Sequence, residues 1–176
     1  MRKYMYILSL LIIGLSACKK EEPIGGTSVQ DMSGEWWVQA KDADGKFSTF
    51  LGEDFVKIVT FNTSDNSTSQ MWVDLTEFWG TNTPPKQLVQ VKANVNTGDK
   101  TFSITNGNNV PDNGYKNDPN LKITIKNGKV ITDGAVGPGS KQKTDAISLD
   151  VEFSDEPGTI YKLSGYHRTK FPDDDH

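Results

Sequence analysis

Side chains able to move a proton or attack a carbonyl are scarce in this 176-residue chain. It holds two histidines, His167 and the terminal His176, and one cysteine, Cys18. A hydrolase built from a nucleophile, a base and an orienting group needs a histidine in nearly every design, and no Gly-x-Ser-x-Gly elbow accompanies either one. His167 is the one candidate general base. It falls at the end of the last strand, with parity opposite to Tyr166 and Arg168, where its plainer role is a surface or barrel-end residue. Asp42, Asp44 and Glu53 stand at positions one, three and twelve of a calcium loop, but Lys46 takes position five and Phe47 replaces the glycine that position six requires. Asp44-Gly45 reads instead as a hairpin turn, and Asp173 to His176 as a frayed acidic end. Neither a metal site nor a cofactor motif is expected. Carboxylate pairs such as Glu53 or Asp54 with Glu77 are open to glycosidase-type chemistry, but nothing in the sequence singles them out.

The aromatic residues are the better lead. Trp36, Trp37, Trp72, Phe78 and Trp79 lie in the first half, and Tyr161 and Tyr166 return near the end. Small-molecule pockets are concave, largely apolar and aromatic-lined, with few polar anchors; aromatics equally dominate ordinary cores. Trp72, Phe78, Trp79 and Tyr166 are the candidate ligand-binding residues, because Trp79 borders a Gly80–Pro85 loop of the kind found at a barrel mouth. Trp36 reads first as core.

These residues must be positioned by strands. Beyond the first residues the hydrophobic period is two nearly everywhere. Leu121, Ile123 and Ile125 alternate with Lys122, Thr124 and Lys126, and Ile147, Leu149, Val151 and Phe153 alternate with Ser148, Asp150 and Glu152. Asn127-Gly128 has the composition of a type I′ hairpin turn, and Pro157-Gly158 turns the chain into a last strand over about 159–169. Met71 to Trp79 reads as a strand, although Met71, Leu75, Phe78 and Trp79 also fit one helical face. Long loops are expected at about 107–119 and 133–144, leaving roughly eight or nine strands. That number makes a closed up-and-down barrel or a sandwich. The adjacent Trp36 and Trp37 point to opposite faces of one strand. In a barrel, Trp36 plugs the interior while Trp37 packs outside, beneath an N-terminal tether or a long loop.

Arg2 and Lys3, an apolar run from Tyr4 to Leu15, and small residues before Cys18 form a signal peptide over residues 1–17. The run is too short for a bilayer span, which needs roughly 20 residues. The net charge of −4 includes Arg2 and Lys3, so the processed chain is more acidic still. An acidic chain without a basic cluster is a poor partner for nucleic acid or an anionic membrane face. What remains is long enough for one domain, expected over residues 31–176, behind a flexible tether at 18–30.

Leu15-Ser16-Ala17-Cys18 resembles the lipobox of bacterial lipoproteins, in which the cysteine is diacylated and becomes the new N-terminus. That explains a lone exported cysteine and implies an outer-membrane lipid anchor. The following lysines and glutamates resemble the surface-export signal of Bacteroidetes lipoproteins, and equally suit a solvated linker. Gly34-Glu35-Trp36 has the Gly-x-Trp form of lipocalins, whose usual partner is an arginine on the final strand, here Arg168, laid on the tryptophan to close the barrel. The chain from about 31 to 173, above all "SGEWWV", "LKITIKNGKVI" and "VEFSDEPGTIYKLSGYHRTKFPDD", resembles a family of Bacteroidetes lipoproteins described as lipid-binding putative hydrolases. The resemblance implies an all-β, lipocalin-like antiparallel barrel of about eight strands and an apolar or lipid-like ligand. Three functions follow from these readings. One is a lipid-anchored binding module with an internal cavity, another a cell-surface interaction protein with a side-chain-filled barrel, and the third a weak esterase-like hydrolase. Neither the ligand nor the oligomeric state is fixed by the sequence.

Overall fold

The computed structural model describes residues 26–49, 51–80, 87–109 and 118–176. The expected signal peptide, Cys18 and most of the expected tether lie outside the described residues. The period-two segments form eight strands: β1 (Gly34–Lys41), β2 (Val56–Asn62), β3 (Gln70–Asp74), β4 (Gln90–Asn96), β5 (Thr101–Asn108), β6 (Lys122–Val136), β7 (Lys143–Phe153) and β8 (Tyr161–His167). They close into a barrel in chain order, every neighbour antiparallel and β8 paired back onto β1. Closure leaves no unpaired sheet edge. The eight strands of the described residues run from Gly34 to His167.

Alternation carries one parity inward. Trp36, Val38 and Ala40 on β1, Ile58 and Thr60 on β2, Met71 and Val73 on β3, and Val91 and Ala93 on β4 are all 0–1% exposed, as are Ile123, Ile125, Leu149, Val151 and Leu163 on β6 to β8. A void of ligand size would leave surface on that lining. Eight strands enclose a space just wide enough for side chains, and here side chains fill it. An internal cavity, expected of a binding barrel, is not what these residues build.

One end is plugged by the segment before β1. Val29 and Met32, the latter in a 3₁₀ turn at Gln30–Met32, are 1% exposed. The Trp36 indole N–H donates to the Thr60 hydroxyl at 2.8 Å, and that hydroxyl donates to the Met32 carbonyl at 2.6 Å. Both polar atoms are thereby matched inside the protein, which burial demands. The other end, the mouth, is crossed by a single helical turn, α1 (Thr76–Trp79).

Several local expectations are corrected by the structure. Asn127-Gly128 does not turn the chain: β6 runs straight through it, with a register shift against β7 between Lys126 and Lys129. Positive φ serves a bulge as well as a hairpin. Asn127 (φ 52°) takes that conformation, and a side chain on Gly128 would begin 2.5 Å from the Phe102 ring. The strand expected over Met71 to Trp79 ends at Asp74. The Asp74 carboxylate accepts the Thr76 N–H at 2.8 Å and diverts the backbone into α1. The loop expected at 133–144 shrinks to a turn, because β6 and β7 extend to Val136 and Lys143.

The acidic C-terminus is not frayed. It closes through a second 3₁₀ turn, Pro172–Asp174, and forms a clasp on the outer wall. Asp174 is 0% exposed and accepts N–H bonds from Gly139 and Ser140 at 2.7 and 2.8 Å and a hydroxyl bond from Thr169 at 2.6 Å. The clasp, and neither the tether nor a long loop, covers Trp37. The Trp37 indole donates to Asp175 at 3.1 Å and meets the His176 ring edge-on at 5.5 Å.

Candidate functional site

Register decides where the sequence-derived candidates stand. Trp36 pairs with His167 across β1 and β8, so the imidazole turns inward at the plugged end and meets the indole edge-on at 4.9 Å. Gly34 is glycine because the ring lies over it: a Cβ there would sit 2.2 Å from Nε2. Burial lowers the His167 pKa, against an opposing pull from Asp145. His167 thus lies against Trp36 and Gly34 at the plugged end and does not line the cleft at the mouth.

Arg168, one residue on, belongs to the other face, so it does not stack on Trp36. Its backbone N–H donates to the Glu35 carbonyl at 2.8 Å. Its Nη1 meets the Glu35 carboxylate at 2.9 Å, while Nε and Nη2 grip Asp175 at 2.6 Å each. These bonds raise the guanidinium pKa further, hold Asp175 down at about 2 and lower Glu35. The barrel is closed by histidine against tryptophan, and the arginine fastens the clasp.

Tyr166 also faces outward, paired with Trp37. Its hydroxyl donates to the Asp174 carbonyl at 2.7 Å and lies 2.7 Å from His176 Nε2, beneath the clasp. Burial, followed by Asp174 and Asp175, pushes its pKa up to about 12. Trp72 stands on the outer wall as well, stacked near Phe61 with the Lys92 ammonium 5.0 Å above its ring. Of the four candidate ligand-binding residues, the structure brings together Phe78 and Trp79 and sets Trp72 and Tyr166 elsewhere.

Phe78 and Trp79 meet at the mouth because α1 crosses it. The Trp79 indole stacks on Phe153 with centroids 4.1 Å apart and planes within 4°, and Phe78 meets Tyr161 edge-on at 5.5 Å. Beside these rings lies a cleft of about 460 Å³, lined also by Leu51, Leu121 and the carboxylates Glu77, Asp118, Asp155 and Glu156. The rings hold two of those carboxylates in place. Trp79 Nε1 donates to Asp155 at 3.2 Å, and the Tyr161 hydroxyl donates to Glu156 at 2.7 Å. Burial first, then Glu156, pushes the Tyr161 pKa up to about 12, so it remains a donor across the physiological range. A larger groove of about 590 Å³ beside the β4–β5 turn is lined by polar residues such as Asn94, Thr101 and Asn127 and lacks this aromatic density.

Tyr161, Asp155, Glu156 and Leu121 were not picked out from the sequence as site residues. The signal was topological: in an up-and-down barrel the end of β3, the start of β6 and the β7–β8 turn all reach one rim. Among the described residues no three histidine, cysteine, aspartate or glutamate side chains converge as a metal site would need. No histidine or serine occurs in the described lining of the cleft. The site can therefore shelter an apolar body against rings and offer carboxylate oxygens to a donor. A family model described as "Lipid-binding putative hydrolase" matches residues 21–172, and the chain belongs to that family. No curated protein matches the chain.

Proposed function

We propose that this member of a lipid-binding family is a lipoprotein, anchored to the outer membrane through an acylated Cys18, that holds a small apolar or lipid-like molecule in the cleft at its barrel mouth. The observation that carries the reading is the aromatic cleft of Phe78, Trp79 and Tyr161 set over a filled interior. Membership of the family supports lipid binding, and the concave aromatic mouth is the described surface best shaped for it. The anchor rests on the lipobox-like sequence before Cys18 and the chain's single cysteine; two acyl chains hold a protein firmly where one does not.

Native mass spectrometry of residues 19–176, purified from cells that make the protein, tests the binding. A retained molecule of defined mass, lost in Trp79→Ala, is the expected outcome. An empty protein that also leaves a panel of lipids unbound would overturn it. For the anchor, a fatty-acid label should enter the wild-type chain and be absent from Cys18→Ser.

The filled interior favours a second reading, a surface interaction protein. Ile131 and Val136, 47% and 52% exposed on the overhanging end of β6, are then the contact residues. Substituting both with serine should abolish partner binding under that reading and leave amphiphile binding untouched under the first.

A further inference from the structure

The cleft has a charge pattern as well as a shape. Glu77, Asp118, Asp155 and Glu156 line it, and no lysine, arginine or histidine appears in its described lining. Lys57 engages Glu77 at 3.3 Å from outside that lining. Among the described residues no cation pairs with Asp118, Asp155 or Glu156. Asp155 and Glu156 instead accept hydrogen bonds from the neutral donors Trp79 Nε1 and Tyr161 OH, which set their carboxylates beside the aromatic rings.

We infer that the cleft takes the positively charged head of an amphiphile, an organic ammonium group on an apolar body, in preference to a fatty-acid carboxylate. The inference rests on the cleft being the ligand site. Among the described residues a carboxylate head would meet like charges and no cation in the cleft lining, and like-charge contact in a partly desolvated cleft is unfavourable. An ammonium head gains twice there. It meets the carboxylates directly, and tryptophan and tyrosine rings attract cations through their quadrupoles. A divalent metal fits less well, because no three of the carboxylates converge. The apolar body then lies along Leu51, Leu121 and the rings.

Three ten-carbon probes separate head from tail: decyltrimethylammonium, decanoate and decyl maltoside, each kept below its micelle-forming concentration. They are titrated into residues 19–176 by calorimetry at low and high salt. The ammonium should bind at least tenfold tighter than the carboxylate, with the neutral maltoside between them. The gap should narrow at high salt as charges are screened. Asp155→Asn with Glu156→Gln should shrink it several-fold, by weakening the ammonium relative to the carboxylate. Decanoate binding as tightly as the ammonium would overturn the head-group assignment and leave the cleft as the site. If no probe binds, or if a folded Trp79→Ala chain binds all three as wild type does, the cleft itself is not the site and both readings fall.

Discussion

The two ends of the barrel use the same side-chain types to opposite effect. At the plugged end, Trp36 is 1% exposed and its N–H is answered by Thr60, which is answered in turn by the Met32 carbonyl. The chain of donors ends inside the protein. At the mouth, Trp79 and Tyr161 also find acceptors, but these are the carboxylates of Asp155 and Glu156 at the border of a cleft. Complete internal matching serves stability, whereas aromatic surface and charge kept together at a boundary serve recognition. Substitutions at the two ends should therefore separate stability from binding.

Trp36→Ala should show the largest effect. Removing a large buried aromatic from a packed interior costs about 3–5 kcal/mol, and here it also strands the Thr60 hydroxyl's contact. The urea midpoint should fall with little change in slope. Trp79→Ala should cost less than half as much stability and abolish amphiphile binding. Equal losses of stability at both ends would break the comparison.

Removing residues 171–176 should come next. It uncovers Trp37 and Tyr166 on the outer wall and frees Arg168 from Asp175. Partly returning two aromatic side chains to water costs about 2–4 kcal/mol. The melting temperature should drop and the tryptophan emission shift to the red, with binding at the mouth retained. An unchanged melting temperature would make the clasp an ornament.

The barrel was legible because β-alternation needs no partner to be read: Ile147, Leu149, Val151 and Phe153 declare one buried face on their own. The errors fell where the outcome depends on what lies across the sheet. Asn127-Gly128 supplies the same positive-φ conformation to a hairpin and to a bulge, and only the continuation of β6 beside β7 decides between them. Arg168 and Trp36 are a plausible pair until register assigns them to opposite faces. Asp174 looks solvated by composition, and only the N–H groups of Gly139 and Ser140, some thirty-five residues away, make it a buried acceptor. At the mouth, the sequence offers Phe78 and Trp79 as candidate binding residues, Trp79 because it borders a loop. Asp155, Glu156 and Tyr161 needed the topology.

A smaller, pH-dependent effect should mark the clasp. Burial alone would raise the Asp174 carboxyl, but bonds from Ser140, Thr169 and Gly139 hold it well below the usual range, while Arg168 holds Asp175 at about 2. Both native values lie below the ordinary aspartate value of about 3.9 in an unfolded chain. Their stabilisation is therefore complete above about pH 4 and is lost as the pH falls towards 2. Urea midpoints should decline over that window in the full chain. The decline should be shallower without residues 171–176; identical profiles would remove the clasp from the acid response.

The finest test sets one tyrosine from each end against the other. Tyr161 at the mouth and Tyr166 under the clasp are both raised to about 12, each chiefly by burial. A raised phenol favours the folded state while neutral, so this stabilisation is present below about pH 10 and lost as the pH rises through 12. Ultraviolet titration should show both ionising late. Removing residues 171–176 takes away the cover and the aspartates over Tyr166, which should then titrate near the ordinary value of about 10, leaving Tyr161 late. Glu156→Gln should do less, because it removes only the charge and hydrogen bond at Tyr161 and leaves the burial that contributes most. If the clasp deletion moved both tyrosines together, the two ends would be coupled through the barrel, and stability and recognition would not be separable as the geometry indicates.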